Sequence, residues 1–214
     1  KGPRPLRLIS PNWRGISEAA IKRVATMAGS KYGAFIADMY GDGFHSETPE
    51  EAGKYFIAFH HNPALIRARV LAWYEQLKSL PEVDESRVAA IGFCFGGQCV
   101  LELARSGADV KAVVSYHGLL TTHAPAQPET VDTVVAVYTG TKDPYAPRDH
   151  VDALRTEMTA AGANLHLTEF SGAYHAFTNP NPPRGVEAGM QYDALCDRVS
   201  WAGTLAVLAQ VLAG

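Results

Sequence analysis

Only three cysteines occur in this 214-residue chain, and no two of them form a CxxC pair. An odd number without such a pair argues against a disulfide framework and a cysteine-rich metal finger. It fits a reducing compartment, so a cytoplasmic setting is expected. Charge is sparse as well, at 19% of residues with a net value of −3. Such a mild balance argues against nucleic acid or an anionic membrane surface as the main partner. No apolar run approaches the roughly 18 residues of a spanning helix, so no membrane partner is expected. The opening Lys1-Gly2-Pro3-Arg4-Pro5 does not read as a secretion signal. It lacks an initial Met, so a removed leader stays open. There is no internal repeat, no low-complexity segment and no linker. One domain over 1–214 is expected, as a monomer or a homodimer.

Hydrophobic residues make up 47% of the chain, enough for a sizeable core. Short apolar runs alternate with longer helical periods, the signature of a mostly parallel sheet flanked by helices on both faces. Strands are predicted at Leu6 to Ser10, Gly33 to Asp38, Arg87 to Gly92, Ala112 to Ser115, Val134 to Tyr138 and Leu165 to Phe170. Ser17 is a predicted N-cap for a helix that buries Ile21, Val24 and Ala28 and ends at Gly29. Two helices meet at Asn62-Pro63. In the second, Ile66, Val70, Trp73 and Leu77 form one apolar face. Further helices are predicted from Gly97 to Arg105, Asp149 to Ala161 and Gly189 to Leu212. Asn179-Pro180-Asn181-Pro182-Pro183 reads as a loop.

The strongest local feature is Gly92-Phe93-Cys94-Phe95-Gly96, between a buried strand and a helix. This is the pattern of a nucleophile elbow with sulfur in place of the usual hydroxyl. The turn is so sharp that side chains two residues either side of the nucleophile would collide with neighbouring backbone. Glycine at 92 and 96 removes them. Cys94 would sit at a helix N-terminus, where unpaired N–H groups and the dipole favour a thiolate. The N–H of Phe95 would face a developing oxyanion. A phosphate-binding loop does not fit, since neither G-x-G-x-x-G nor a Lys-Ser/Thr ending is present.

A nucleophilic thiol needs a base, and the base needs a group to fix its tautomer. In an elbow fold the chain order is nucleophile, acid, histidine. Asp143 follows the strand ending at Tyr138, before Pro144. His175 follows the strand ending at Phe170, after Gly172. Alone, each reads as an ordinary turn residue. Together they stand in the right order at the right strand ends. His117 also follows a strand on that side and is a candidate to face the pocket. His60-His61 suits a helix end, and no further metal ligands converge there. His45, His123, His150 and His166 lack evident partners. Cys99 and Cys196 read as core fillers. Neither a metal nor a cofactor is expected.

These residues resemble the dienelactone hydrolase family. The matching pieces are Gly92-Phe93-Cys94-Phe95-Gly96-Gly97, Asp143-Pro144, His175-Ala176-Phe177 and Ala37-Asp38-Met39-Tyr40-Gly41. The resemblance implies an α/β-hydrolase fold and a Cys94-Asp143-His175 triad. It also implies hydrolysis of a lactone or related small-molecule ester without a cofactor. By resemblance the second oxyanion donor is the N–H of Trp13, in the loop Asn12-Trp13-Arg14-Gly15. A substrate-binding arginine corresponds to Arg69, with Arg67 as the rival. Three departures stand out. Asn12 occupies the place of a glutamate that helps activate the thiol. Asn179 stands for a second arginine. The family's first one or two strands precede the segment with which this chain begins.

Overall fold

The computed structural model describes residues 2–29, 32–182 and 186–213. Strands and helices alternate along the chain. They are β1 (Arg4–Ser10), α1 (Glu18–Ala28), β2 (Gly33–Ile36), α2 (Pro49–His60), α3 (Pro63–Lys78) and β3 (Val83–Phe93). After these come α4 (Phe95–Arg105), β4 (Ala112–Tyr116), β5 (Val134–Gly140), α5 (Arg148–Ala160), β6 (Asn164–Phe170) and α6 (Ala194–Val211). The six strands form one sheet in the order β2-β1-β3-β4-β5-β6, and every neighbouring pair is parallel.

Alternation along the strands feeds two cores. Leu6, Leu8, Val88, Ala90 and Val113 point to the face covered by α3, α4 and α5, where Ile66, Leu101 and Leu154 meet them. Ile9, Ala89, Ile91 and Val114 point to the opposite face, against Val24 and Met27 of α1 and Leu208 of α6. Parallel strands deliver all their C-terminal ends to one edge, and the loops there carry the candidate residues.

Local chemistry sets the boundaries. The Ser17 hydroxyl caps α1 by accepting from the Ala20 N–H at 3.1 Å. Ile21 is 52% exposed, and Met27 occupies the inward position beside Val24. The side chain of Ala28 lies outside the described residues. In α3 the buried face is Ile66, Val70, Tyr74 and Leu77. Trp73 sits at its edge and donates its indole N–H to the Asp38 carbonyl. β2 stops at Ile36, and Asp38 instead accepts the Gly41 and Gly43 N–H groups in the following turn. The C-terminal helix starts at Ala194, not Gly189, because Asp193 caps the N–H groups of Leu195 and Cys196. Pro183 lies outside the described residues. Among the described residues no helix is long and apolar enough to cross a membrane.

Candidate active site

β3 turns into α4 through Cys94, whose backbone has φ 56° and ψ −118°. A left-handed, non-glycine residue is strained and persists only when its surroundings hold it. Here the Cys94 N–H donates to the Tyr116 carbonyl at 3.0 Å, and the Cys94 carbonyl accepts from Gly97 at 2.9 Å. The two glycines do what the turn requires. A Cβ on Gly92 would lie 1.9 Å from the Gly96 carbonyl oxygen, and one on Gly96 would lie 2.0 Å from that of Ser10. The chain leaving β1 therefore crosses directly over the first turn of α4.

That crossing brings the loop 12–15 to the elbow. The Asn12 side-chain oxygen accepts from the Arg14 N–H at 3.0 Å, and its carbonyl accepts from Gly15 at 3.1 Å. The Trp13 carbonyl accepts from the Tyr40 hydroxyl at 2.9 Å. Phe95 is the first residue of α4, so its N–H has no intrahelical acceptor. Among the described residues, no protein acceptor takes the N–H of Trp13 or of Phe95.

His175 and Asp143 come from the loops after β6 and β5. The Nδ1 atom of His175 lies 2.8 Å from Oδ2 of Asp143, and both side chains are buried. The other Asp143 oxygen accepts from the Tyr145 N–H at 2.8 Å. The His175 backbone is held at both ends. Its N–H donates to Gly189 and its carbonyl accepts from Gln191, at 3.0 and 3.1 Å. Burial is the largest influence on the His175 imidazole and opposes its charge. Cys94, as charge and as hydrogen-bond partner, and Asp143 together outweigh burial and push the pKa up to about 10.

This shift has a sign that can be tested. His175 holds its proton more tightly folded than at its ordinary pKa of 6.5. The stability this contributes is whole below pH 6.5 and is lost as pH rises through about 10. The melting temperature of the wild type should therefore fall more steeply over that range than that of Cys94→Ala, which lacks one of the raising groups. Parallel curves would contradict this.

Comparison with known proteins shows the family. A sequence model of the dienelactone hydrolase family matches residues 1–212. The chain belongs to the dienelactone hydrolase family. It is thereby a hydrolase, and the fold is that of the α/β-hydrolases. A solved structure named m3DLH is 33% identical over 99% of this chain and 88% of its own, with a TM-score of 0.91. A dienelactone hydrolase-like promiscuous phosphotriesterase, P91, from metagenomic libraries is 31% identical with a TM-score of 0.92, over the same shares. A Caenorhabditis elegans protein, K02A2.1, is 35% identical over 69% of this chain and 95% of its own length. A Yersinia pestis protein provisionally named carboxymethylenebutenolidase is 31% identical over 44% of this chain. That match spans 38% of the Yersinia protein.

Against the family pattern, the remaining expected residues are placed as follows. Arg69 donates to the Met39 carbonyl at 3.1 Å and stacks over the Phe59 ring. Arg67 is committed to Glu102 at 2.7 Å, which also pairs with the buried Arg105. Asn12 spends its side-chain oxygen on its own loop, as described above. Asn179 caps Asn181 at 3.0 Å. His117 is 3% exposed and lies behind His175, so it does not line an open pocket. Among the described residues no cluster of His, Cys, Asp or Glu is arranged to hold a metal.

Sequence reasoning missed the aromatic wall beside Cys94. Tyr40 stacks on Phe95 at 5.7 Å, and Phe56 meets Phe95 edge-on at 5.5 Å. Tyr145, 41% exposed, lies against the His175 ring at 4.8 Å. Its place two residues after Asp143 is the one sequence clue to it.

Proposed function

We propose that this chain hydrolyses lactones or carboxylic esters through a Cys94-His175-Asp143 triad and a thioester acyl-enzyme. One observation carries the reading: His175 is held between Asp143, at 2.8 Å, and Cys94 on the elbow. Asp143 fixes the imidazole orientation, so the other ring nitrogen serves sulfur.

The sulfur of Cys94 attacks the carbonyl carbon as a thiolate, its proton residing on His175. Negative charge gathers on the carbonyl oxygen, where the N–H groups of Phe95 and Trp13 donate to it. The C–O bond then breaks, and the departing alkoxide takes the proton from His175. In a lactone that alkoxide stays tethered to the acyl group. Water next gives a proton to His175 and adds to the thioester carbon. The C–S bond breaks, the acid leaves and the thiolate returns. The Asn12 side chain cannot accept a proton, so His175 is the base on which the reading relies.

Rapid quenching after mixing with p-nitrophenyl acetate tests the reading. A burst of nitrophenol and an acetyl adduct on Cys94 are expected, and turnover with neither would overturn the thioester route. Rates on lactones against linear esters separate lactonase from general carboxylesterase or thioesterase activity. A chain that cleaves none of these, with Cys94 no more reactive to iodoacetamide than Cys99 and Cys196, would be a binding protein retaining the fold.

A further inference from the structure

Beside His175 lies a buried polar chain that the proposed chemistry does not use. The His117 ring meets the His175 ring edge-to-face at 5.1 Å. Its Nε2 is 2.9 Å from the Thr178 hydroxyl. That hydroxyl accepts from the Arg23 guanidinium at 3.0 Å, and Arg23 also donates to the Thr178 carbonyl at 2.5 Å. Arg23 is itself seated over the Phe93 ring at 4.7 Å. The three residues come from the loop after β4, the loop after β6 and helix α1.

We infer that His117, locked by Thr178 and Arg23, is a positioning residue that fixes the His175 ring for proton exchange with Cys94. This rests on the proposed function and extends it.

Three observations support the inference. First, the surroundings of His117 are aromatic: Phe177 at 5.1 Å and Phe93 at 6.2 Å. An apolar ring would suit such a site without the cost of burying a polar one. The polar ring adds one thing, the hydrogen bond that fixes its rotation. Second, the backbone of His117 is left-handed, φ 38°, and is anchored by its N–H to the Tyr138 carbonyl at 2.8 Å. Third, the His175 ring is bounded by Asp143 at Nδ1, by Tyr145 on one side and by His117 on another. Removing the His117 wall takes away one of these three contacts. Burial, His175 and Arg23 all hold the His117 pKa well below its usual value, so the wall is neutral and the charge stays on His175.

Thr178→Val keeps the side-chain size and deletes only the hydroxyl, and Thr178→Ser restores it. His117→Asn removes the ring while keeping a residue type that tolerates positive φ. In Thr178→Val the kcat for p-nitrophenyl acetate should fall about tenfold with KM within about twofold, the scale of a small misplacement outside the reacting atoms. Thr178→Ser should recover most of it, and His117→Asn should lose more than Thr178→Val.

A second readout needs no turnover. Iodoacetamide alkylation of Cys94 is followed against pH, with the variants compared at equal folded fraction. The groups facing His175 are Cys94, Asp143, Tyr145 and His117, with Arg23 behind. In Thr178→Val the half-maximal point should move upward. An active wild type whose Thr178→Val variant keeps its kcat and alkylation profile overturns the inference, whether or not the melting temperature drops. A wild type that cleaves no ester overturns the proposed function instead. In that case the shift in the alkylation profile, present or absent, still decides the positioning role.

Discussion

Replacing Cys94 by alanine should lower ester or lactone turnover by about 10³-fold or more, since loss of a covalent nucleophile costs most of what a triad contributes. The fold should survive. Alanine is smaller than cysteine, and the anchors of the turn are backbone bonds, from the Cys94 N–H to Tyr116 and from Gly97 to the Cys94 carbonyl. The thiol is also only partly buried, so little packing is lost. The expected variant is therefore folded, nearly inactive, and no longer labelled at this position. Steady-state assay with short activated esters, beside a melting curve, checks both halves. Turnover that persists within a few-fold of wild type would remove Cys94 from the chemistry.

Gly96→Ala should be among the most damaging single methyl additions to the described residues. Its Cβ would sit 2.0 Å from the Ser10 carbonyl oxygen and 2.5 Å from that of Pro11. Both obstacles are backbone, so no rotamer change relieves them. Ser10 lies in β1, with a parallel strand on each side. It can yield only by pulling the sheet out of register. The other escape is for the loop carrying Trp13 to lift away from α4, which moves the proposed oxyanion donor. A destabilisation of about 3 kcal/mol or more is expected, at the upper end of single substitutions. Any protein that still folds should lose kcat by about 10²-fold, the scale of one lost oxyanion donor. Urea unfolding and assay of the soluble fraction would measure each. A folded, fully active Gly96→Ala would mean that the crossing of loop and helix is looser than its geometry.

Much of the scaffold was legible in the sequence because it is written in short-range patterns. Short apolar runs marked the strands, and Asn62-Pro63 marked the break between α2 and α3. Glycines at 92 and 96 marked the turn. The failures are equally local. Ile21 and Trp73 fit a helical period yet lie off the buried stripe, which runs through Val24 and Met27 in α1 and through Val70 and Tyr74 in α3. Gly189 looked helical until Asp193 captured the first N–H groups of α6.

The candidate site was legible only in its chain order. Cys94, Asp143 and His175 could be named from strand ends, since parallel strands must bring their C-terminal loops together. Partners that depend on loop shape could not. Nothing in the sequence says that Asn12 folds its oxygen back onto Arg14, or that Arg69 turns to Met39. Nor does it say that His117 pairs with a threonine 61 residues later and an arginine from the first helix. Such contacts are decided by tertiary packing, which periodicity does not encode.

Five non-glycine residues among those described have a left-handed backbone, and three of them, Cys94, His117 and Ala176, lie at or beside the site. Each is a conformation the unbound dipeptide avoids, kept in place by neighbours that have no other way to fit. The edge of the sheet that carries the candidate site is thus also where backbone strain collects. Gains in heat tolerance should come from the solvent-facing turns of α1, α2 and α5, leaving that edge of the sheet as evolution strained it.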